Sequence, residues 1–122
     1  IETYSRIDIA LDTFPYNGGT TTTEAVWQGV PVAAFAGSTW AARTSATILR
    51  EGGLGDWVAS DLDGYIELAV GWGRDPTATE RLAALRSTMR DRLRASSACD
   101  TRGFARAMES LYREMWRNWC RM

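Results

Sequence analysis

The sequence predicts an α/β fold in which parallel strands alternate with helices, followed by a helical tail. Two apolar runs, at residues 7–11 and 30–35, lack polar alternation, which is typical of strands covered on both faces. A glycine-rich turn and a short helical segment lie between them, which makes a βαβ unit. Beyond residue 61, apolar residues recur at helical spacing. We therefore predict a βαβα part over residues 1–60 and a helical tail over 61–122.

The helix of the βαβ unit is predicted over residues 21–28, with Gly29 ending it. Thr21 and Glu24 have the spacing of a capping box, in which the threonine hydroxyl accepts from the amide of Glu24 and the carboxylate reaches back. Pro31 then restarts the chain as extended backbone. These features predict a helix that is capped by its own side chains.

The remaining elements follow from apolar spacing and from the residues that interrupt it. Residues 1–6 are predicted to be the end of a helix. The others are a helix over 39–51 ended by Gly52 and Gly53, a short strand over 57–59, a helix from Asp61 to about residue 72, a helix from Pro76 broken over 96–100, and a last helix over 101–120. Because so few strands make a small sheet, we expect more strands upstream and a chain that is a fragment of a larger protein.

Composition narrows the possible functions. The chain of 122 residues is 45% hydrophobic. Its first residues lack a basic segment followed by an apolar one, so we expect no signal peptide, and no apolar run reaches the roughly 20 residues that cross a membrane. Cys99 and Cys120 form no metal or disulfide pattern, which indicates a reducing compartment and hence the cytoplasm. Residues 72–122 hold eleven arginines against six acidic residues. Because these charges alternate on helical sequence, we interpret them as a solvated face and expect no nucleic-acid partner.

The strongest candidate site is the turn before the first helix. Gly18 and Gly19 break regular structure, and the threonines at 20–23 follow them. A helix N-terminus with small residues offers free backbone N–H groups to an anion such as a phosphate. A helix cap needs one hydroxyl residue, so an uninterrupted run of threonines favours a binding role. The chain contains no histidine, so its commonest candidate for a general base is missing.

The segment NGGTTTTEAVWQGVPVAAF resembles the family of O-linked N-acetylglucosamine transferases and SPINDLY proteins. The likeness continues through AGSTWAARTSATIL, GGLGDWVASDLDGYIELAV and the closing FARAMESLYREMWRNW. Members of this family are glycosyltransferases with a GT-B catalytic region. The resemblance implies that the chain is the C-terminal half of a Rossmann-like GT-B donor-binding lobe, followed by a helical tail.

The resemblance also implies roles for individual residues. Thr20 and Thr21 match the threonine pair that meets the donor diphosphate, and Gly18 and Gly19 permit its close approach. Glu24 matches the acidic position that contacts the ribose. The implied reaction transfers N-acetylglucosamine from UDP-N-acetylglucosamine to Ser or Thr hydroxyls of a protein acceptor, without a metal or other cofactor. The catalytic residues are not identified, and the isolated fragment is expected to be inactive.

Three alternatives stay open. Animal-type members carry a histidine where this chain has Gly19, and the form found here is closer to SPINDLY and bacterial homologues. SPINDLY members use GDP-fucose. The donor is therefore a UDP or a GDP sugar. A second alternative is a nucleotide-binding module without catalysis. A third is a helical interaction domain whose threonine turn only caps the helix.

Other polar residues near the turn have simpler interpretations. Asp12 lies at the carboxyl end of a predicted strand, where ligands gather in α/β sheets, but an Asp before a turn is also routine, and we favour that interpretation. Tyr16 and Asn17 could approach the donor sugar, although shaping the loop is the simpler role for both.

Two features of the tail also need an interpretation. Asp61 and Asp63 form a D-x-D triplet of the kind that binds a metal in other glycosyltransferase folds, but here the triplet opens an amphipathic helix and is explained by N-capping. The aromatic stripe of the last helix is typical of a core or a partner surface. If nothing covers it, we expect the chain to self-associate through residues 101–122.

Overall fold

The computed structural model describes residues 2–121. Its centre is a sheet of three strands that lie in the order of the sequence, with both pairs of neighbours parallel. Ala10 pairs with Val32 in the first pair, and Ala34 pairs with Val58 in the second. The strands are β1 at Ala10–Leu11, β2 at Val32–Phe35 and β3 at Val58–Ala59. The predicted α/β class with parallel strands is confirmed.

Five α-helices within residues 2–121 surround and extend this sheet. They are α1 at Thr20–Trp27, α2 at Thr44–Glu51, α3 at Leu62–Arg74, α4 at Ala78–Ala95 and α5 at Thr101–Trp119. Short 3₁₀ helices lie at Glu2–Arg6, Gly55–Trp57 and Ser97–Cys99. None of the helices in the described part of the chain combines the length and apolarity needed to cross a membrane.

The core lies around β2, whose four residues are all buried. This accounts for the continuous apolar run of the strand, since a strand covered on both faces has no solvent side. Helices α1, α2 and α4 contribute the side chains that complete the core: Ala25, Val26, Leu49, Leu82, Met89 and Leu93. Each fully buried leucine or methionine contributes about 1.5–3 kcal/mol through the hydrophobic effect.

Helix α4 fixes the C-terminal end of α1 through arginine side chains. Arg86 donates to the carbonyl of Gly29 at 3.1 Å and to that of Ile7 at 2.6 Å, and Arg90 donates to the carbonyl of Trp27 at 2.8 Å. Gly29 itself has φ +81°, a left-handed conformation that favours glycine. The helical tail therefore holds α1 in place from the end opposite to the threonines.

Several predicted boundaries were wrong. Strand β1 is limited to Ala10–Leu11, although residues 7–11 were predicted, and the first residues form a 3₁₀ helix rather than an α-helical end. Helix α2 begins at Thr44 rather than at residue 39. The cause is Arg43, whose guanidinium donates to the carbonyls of Gly37 and Ser38 and holds the preceding residues in turns.

The last helix, α5, presents an apolar stripe to solvent. Phe104, Trp116 and Trp119 are each about two thirds exposed, and α5 buries no residue within the described chain. The surface formed by these aromatic residues is therefore uncovered in the chain as it stands.

Candidate functional site

The candidate site lies at the carboxyl ends of β1 and β2. Strand β1 ends at Leu11 and leads through residues 12–19 into α1, while β2 ends at Phe35 and leads through residues 36–43 into α2. The two loops are in contact: the backbone amide of Asn17 donates to the backbone carbonyl of Ala41 at 2.9 Å. Ligands of parallel α/β sheets bind at this edge.

Helix α1 starts without a side-chain cap. Gly19 occupies the N-cap position, and the amide of Thr23 closes the first turn by donating to the carbonyl of Gly19 at 3.0 Å. Within residues 2–121, no acceptor is found for the amides of Thr20, Thr21 and Thr22, and the first turn contains no acidic residue. The positive end of the helix is therefore not neutralised by its own side chains.

The predicted capping box between Thr21 and Glu24 was wrong. Because the first turn closes on Gly19, Thr21 lies inside the helix, where its hydroxyl cannot take the N-cap position. Glu24 lies one turn further along and is exposed. Its carboxylate is thus not engaged in capping.

The structure brings three of the predicted site residues onto one face of α1. Thr20, Thr21 and Glu24 are all exposed, and residues three or four positions apart on a helix are neighbours. The opposite face buries Thr22 along with the apolar residues of the same helix. An anion at the helix start would thus meet two hydroxyls, and a group one turn away would meet the carboxylate.

Gly18 is held from two sides. Its amide donates to Oδ1 of Asp12 at 2.8 Å, and its carbonyl accepts from the hydroxyl of Ser45 at 2.9 Å. A Cβ atom at this position would lie 2.5 Å from Oγ1 of Thr22 and 2.6 Å from Oγ1 of Thr21. Real side chains do not come so close, so only glycine fits here without a shift.

Gly19, in contrast, has room for a side chain. A Cβ atom there would meet only the Cγ2 atom of Thr44, at 3.6 Å, which is an ordinary van der Waals contact. Its φ of −122° is negative, so the left-handed conformation that favours glycine does not occur here. The two adjacent glycines, which the sequence analysis treated alike, therefore differ in what the structure requires of them.

Asn17, Tyr16 and Asp12 organise the loop that precedes the glycines. The side chain of Asn17 is buried and donates to the carbonyl of Thr13 at 3.0 Å, while Thr13 donates its hydroxyl to the carbonyl of Tyr16 at 2.6 Å. Oδ2 of Asp12 and Oδ1 of Asn17 are buried without a partner within residues 2–121. The loop is thus braced internally, with Tyr16 exposed at its tip.

Tyr65 of α3 forms a hydrogen bond to the same loop. Its hydroxyl donates to the backbone carbonyl of Asp12 at 3.0 Å. Burial raises the pKa of this phenol above its ordinary value, and the nearby Asp12 carboxylate adds to the shift. Tyr65 therefore stays protonated and keeps donating over the whole neutral range.

The D-x-D triplet acts as an N-cap. Oδ1 of Asp61 accepts from the amide of Gly64 at 2.8 Å and begins α3, as the sequence predicted. Asp63 lies in the first turn of the same helix, where an acidic residue complements the helix dipole. Within residues 2–121, His, Cys, Asp and Glu side chains form no group of three that could bind a metal ion.

A pair of buried hydroxyls was missed by the sequence analysis. Thr22 is 3% exposed and Ser45 is fully buried, and their hydroxyl oxygens are 2.7 Å apart. The available signal was helical periodicity, which places Thr22 on the same face as Ala25 and Val26. Roles were predicted for Thr20 and Thr21 alone, and the burial of Thr22 was not predicted.

A parallel α/β sheet with an uncapped helix start at the carboxyl ends of its strands defines a Rossmann-type binding unit. The profile of the family described as Glycosyl transferase family 41 matches residues 4–108. The chain belongs to this family.

Individual relatives agree with the family assignment. The chain is 42% identical over 121 residues to the Arabidopsis thaliana protein named probable UDP-N-acetylglucosamine--peptide N-acetylglucosaminyltransferase SPINDLY, covering 99% of the chain and 13% of that relative. It is 29% identical over 112 residues to the UDP-N-acetylglucosamine--peptide N-acetylglucosaminyltransferase of Caenorhabditis elegans, covering 92% of the chain and 10% of that relative. The chain therefore spans only a small part of the length of these relatives.

A solved structure shows the same fold. A mutant of the Thermobaculum terrenum O-GlcNAc transferase is similar with a TM-score of 0.83 and 43% identity, over 98% of this chain and 22% of that protein. The predicted resemblance to O-linked N-acetylglucosamine transferases and SPINDLY proteins is thus confirmed, as is the fold class that it implied.

Proposed function

We propose that this chain forms part of the donor site of a glycosyltransferase that moves N-acetylglucosamine from UDP-N-acetylglucosamine to Ser or Thr hydroxyls of proteins. The observation that carries the proposal is the uncapped start of α1 at the carboxyl edge of the sheet, where the first three amides have no acceptor within residues 2–121. Membership of glycosyl transferase family 41 supplies the reaction class. The names of the relatives supply the donor and the peptide acceptor.

In this proposal the diphosphate of the donor binds at the helix start. The amides of Thr20, Thr21 and Thr22 and the hydroxyls of Thr20 and Thr21 donate to its oxygens, and Gly18 and Gly19 leave the approach open. The helix start carries about half a positive charge, which is worth about 0.3–2 kcal/mol per interacting anion, depending on burial. Because the nucleoside diphosphate is the leaving group, stabilising its charge also favours departure of the sugar.

Glu24 is placed to accept hydrogen bonds from the ribose. It shares the exposed face of α1 with Thr20 and Thr21 and makes no capping interaction. Glu24 lies about one helical turn, about 5.4 Å, along α1 from Thr20, and in this proposal the ribose of the donor reaches it. We propose that no metal takes part, since the helix dipole acts on the diphosphate directly and Asp61 is engaged as an N-cap.

A GDP sugar such as GDP-fucose is the second candidate donor. The observation that favours it is Gly19, at the position where the family resemblance gives animal-type members a histidine. The diphosphate part of the site is the same for both donors.

A cytoplasmic location is also proposed, since Cys99 and Cys120 are free and exposed.

The test uses the full-length protein that carries this chain. Calorimetric titration with UDP-N-acetylglucosamine and with GDP-fucose identifies the donor, and transfer of labelled sugar to a Ser-containing peptide tests the reaction. Thr21→Val removes one hydroxyl without changing the shape of the side chain, and we expect it to weaken donor binding about fivefold to tenfold. The matched control is Thr88→Val on α4, whose hydroxyl donates to the carbonyl of Leu85.

The outcomes separate the alternatives. Donor binding with transfer supports the proposed enzyme, and the preferred nucleotide decides between the two donors. Donor binding without any transfer or hydrolysis would instead indicate a nucleotide-binding module. If neither nucleotide binds, the threonine turn is only a structural helix start and the proposal fails.

A further inference from the structure

A buried chain of hydroxyl groups connects the two helices at the site. Ser45 of α2 donates its proton to the carbonyl of Gly18 at 2.9 Å, so the hydroxyl of Thr22, 2.7 Å away, must be the donor to Ser45. Thr22 is 3% exposed and Ser45 is 0% exposed. The order of donation is therefore Thr22 to Ser45 to the Gly18 carbonyl, and both hydroxyls are buried.

This series of hydrogen-bonded hydroxyls is connected at both ends to residues that form the surface of the site. Thr22 is the third residue of α1 and follows the two threonines that face solvent. Gly18 precedes the N-cap residue, and its amide is held by Asp12 at 2.8 Å. The hydroxyl pair thus ties the first turn of α1 and the residue before it to α2.

Packing alone does not account for the two hydroxyls. The neighbours of Thr22 on the buried face of α1 are Ala25 and Val26, and those of Ser45 on α2 are Ala46 and Leu49. A valine and an alanine would fill the same volume without buried polar atoms. A buried polar pair that is fully satisfied is retained at a defined geometry, because only one arrangement satisfies both partners.

We propose that Thr22 and Ser45 are positioning residues for the donor diphosphate. They do not contact the donor; they fix the start of α1, where the amides of Thr20, Thr21 and Thr22 do. The inference rests on the proposed function of this site. It assigns to the third threonine of the run a role different from that of Thr20 and Thr21.

The two hydroxyls differ in what their removal leaves behind. Ser45→Ala removes the acceptor of Thr22 and the donor to the Gly18 carbonyl, which leaves two buried groups unpaired. Thr22→Val leaves only one lone pair of Ser45 unused, so its effect is smaller. We expect Kd for the nucleoside diphosphate to rise about tenfold in Ser45→Ala and about threefold to fivefold in Thr22→Val. Thr22→Ser keeps the hydroxyl and should stay within about twofold of the wild type.

The experiment compares a nucleoside diphosphate with its nucleoside in the full-length protein. Calorimetric titration measures Kd for UDP and uridine, or for GDP and guanosine if the wild type prefers GDP. Positioning of the helix start predicts a loss confined to the diphosphate, with nucleoside affinity unchanged. Thr47→Val on α2 is the matched control, because its hydroxyl is exposed and donates to the carbonyl of Arg43.

Each outcome bears on one claim. A wild type that binds neither diphosphate overturns the proposed function itself. A wild type that binds, with Ser45→Ala and Thr22→Val at unchanged affinity, overturns the positioning role alone. Equal loss of diphosphate and nucleoside affinity also overturns it, since that indicates general damage to the fold. Should Ser45→Ala fail to fold, the comparison of Thr22→Val with Thr22→Ser decides the question by itself.

Discussion

Replacement of Gly18 by alanine tests the geometry of the turn directly. The added Cβ atom would lie 2.5 Å from Oγ1 of Thr22 and 2.6 Å from Oγ1 of Thr21. Thr21 is exposed and can rotate away, but Thr22 cannot do so without leaving its hydrogen bond to Ser45. Relief of the clash therefore involves both a backbone shift and loss of the buried hydroxyl pair.

The expected cost adds two effects. Inserting a methyl group into a packed region costs about 1–3 kcal/mol, and a lost buried hydrogen bond costs about 1 kcal/mol. Gly18→Ala should therefore destabilise this region by about 2–4 kcal/mol. Because the shift moves the start of α1, donor affinity should fall as well, by at least about tenfold if 1.4 kcal/mol of that cost affects the bound state.

The matched control is Gly19→Ala, one residue further along. Its Cβ atom would meet only Thr44, at 3.6 Å, and alanine is a poorer N-cap residue than glycine, so a cost of up to about 1 kcal/mol is expected. Thermal unfolding followed by circular dichroism, together with calorimetric titration of the donor, gives both quantities for the two variants. Equal destabilisation by Gly18→Ala and Gly19→Ala would refute the reasoning, because contact at Gly18 is its only basis.

The remaining predictions concern four substitutions and one chelation test. Tyr65→Phe should make the stability of the fold less sensitive to alkaline pH. The raised pKa of the Tyr65 phenol contributes stability that is fully present below about pH 10, the pKa of an unfolded tyrosine. This stability is lost as the pH rises through the pKa of the folded state. Urea titrations at pH 8 and pH 11 measure this, and an identical loss in wild type and variant would contradict it. Gly29→Ala, at φ +81° and with Arg86 in the way, should cost about 2–4 kcal/mol by the same unfolding assay; an unchanged midpoint would show that the turn relaxes freely. Asp61→Ala should cost about 1 kcal/mol through loss of the N-cap. Sugar transfer should be insensitive to EDTA, and activity that EDTA abolishes and a divalent cation restores would disprove the metal-independent proposal. The isolated 122-residue chain should self-associate through α5, and Trp116→Asp should make it monomeric; a wild-type monomer in sedimentation at high concentration would contradict this.

The sequence was most informative where burial dominates. Strand β2 was predicted within two residues, because a short continuous apolar run that follows a glycine turn is typical of a strand buried on both faces. The beginnings of α3 and α5 also matched, since Asp61 and Asp100 cap them with their own side chains. In these places local chemistry and tertiary packing favour the same boundary.

The sequence was less informative where a distant group decides the local structure. Helix α2 begins five residues late, because the Arg43 side chain holds turns that no short-range pattern reveals. Strand β1 is short, although its apolar run is longer, since pairing to β2 extends over only two residues. The capping box failed because the helix closes on Gly19 instead of on the threonine that matched the motif.

The run of threonines shows how one sequence signal can contain several roles. Successive residues on an α-helix are turned by about 100°, so four in a row point in all directions around its axis. Thr20 and Thr21 are exposed at the helix start, and Thr22 is buried against Ser45. The hydroxyl of Thr23 donates to the carbonyl of Gly19 at 3.0 Å. A helix cap alone would give no role to three of these hydroxyls. All four hydroxyls have a role in a site that needs two exposed donors, a fixed first turn and a satisfied N-cap carbonyl. These roles depend on the position of each threonine relative to the N-cap residue Gly19.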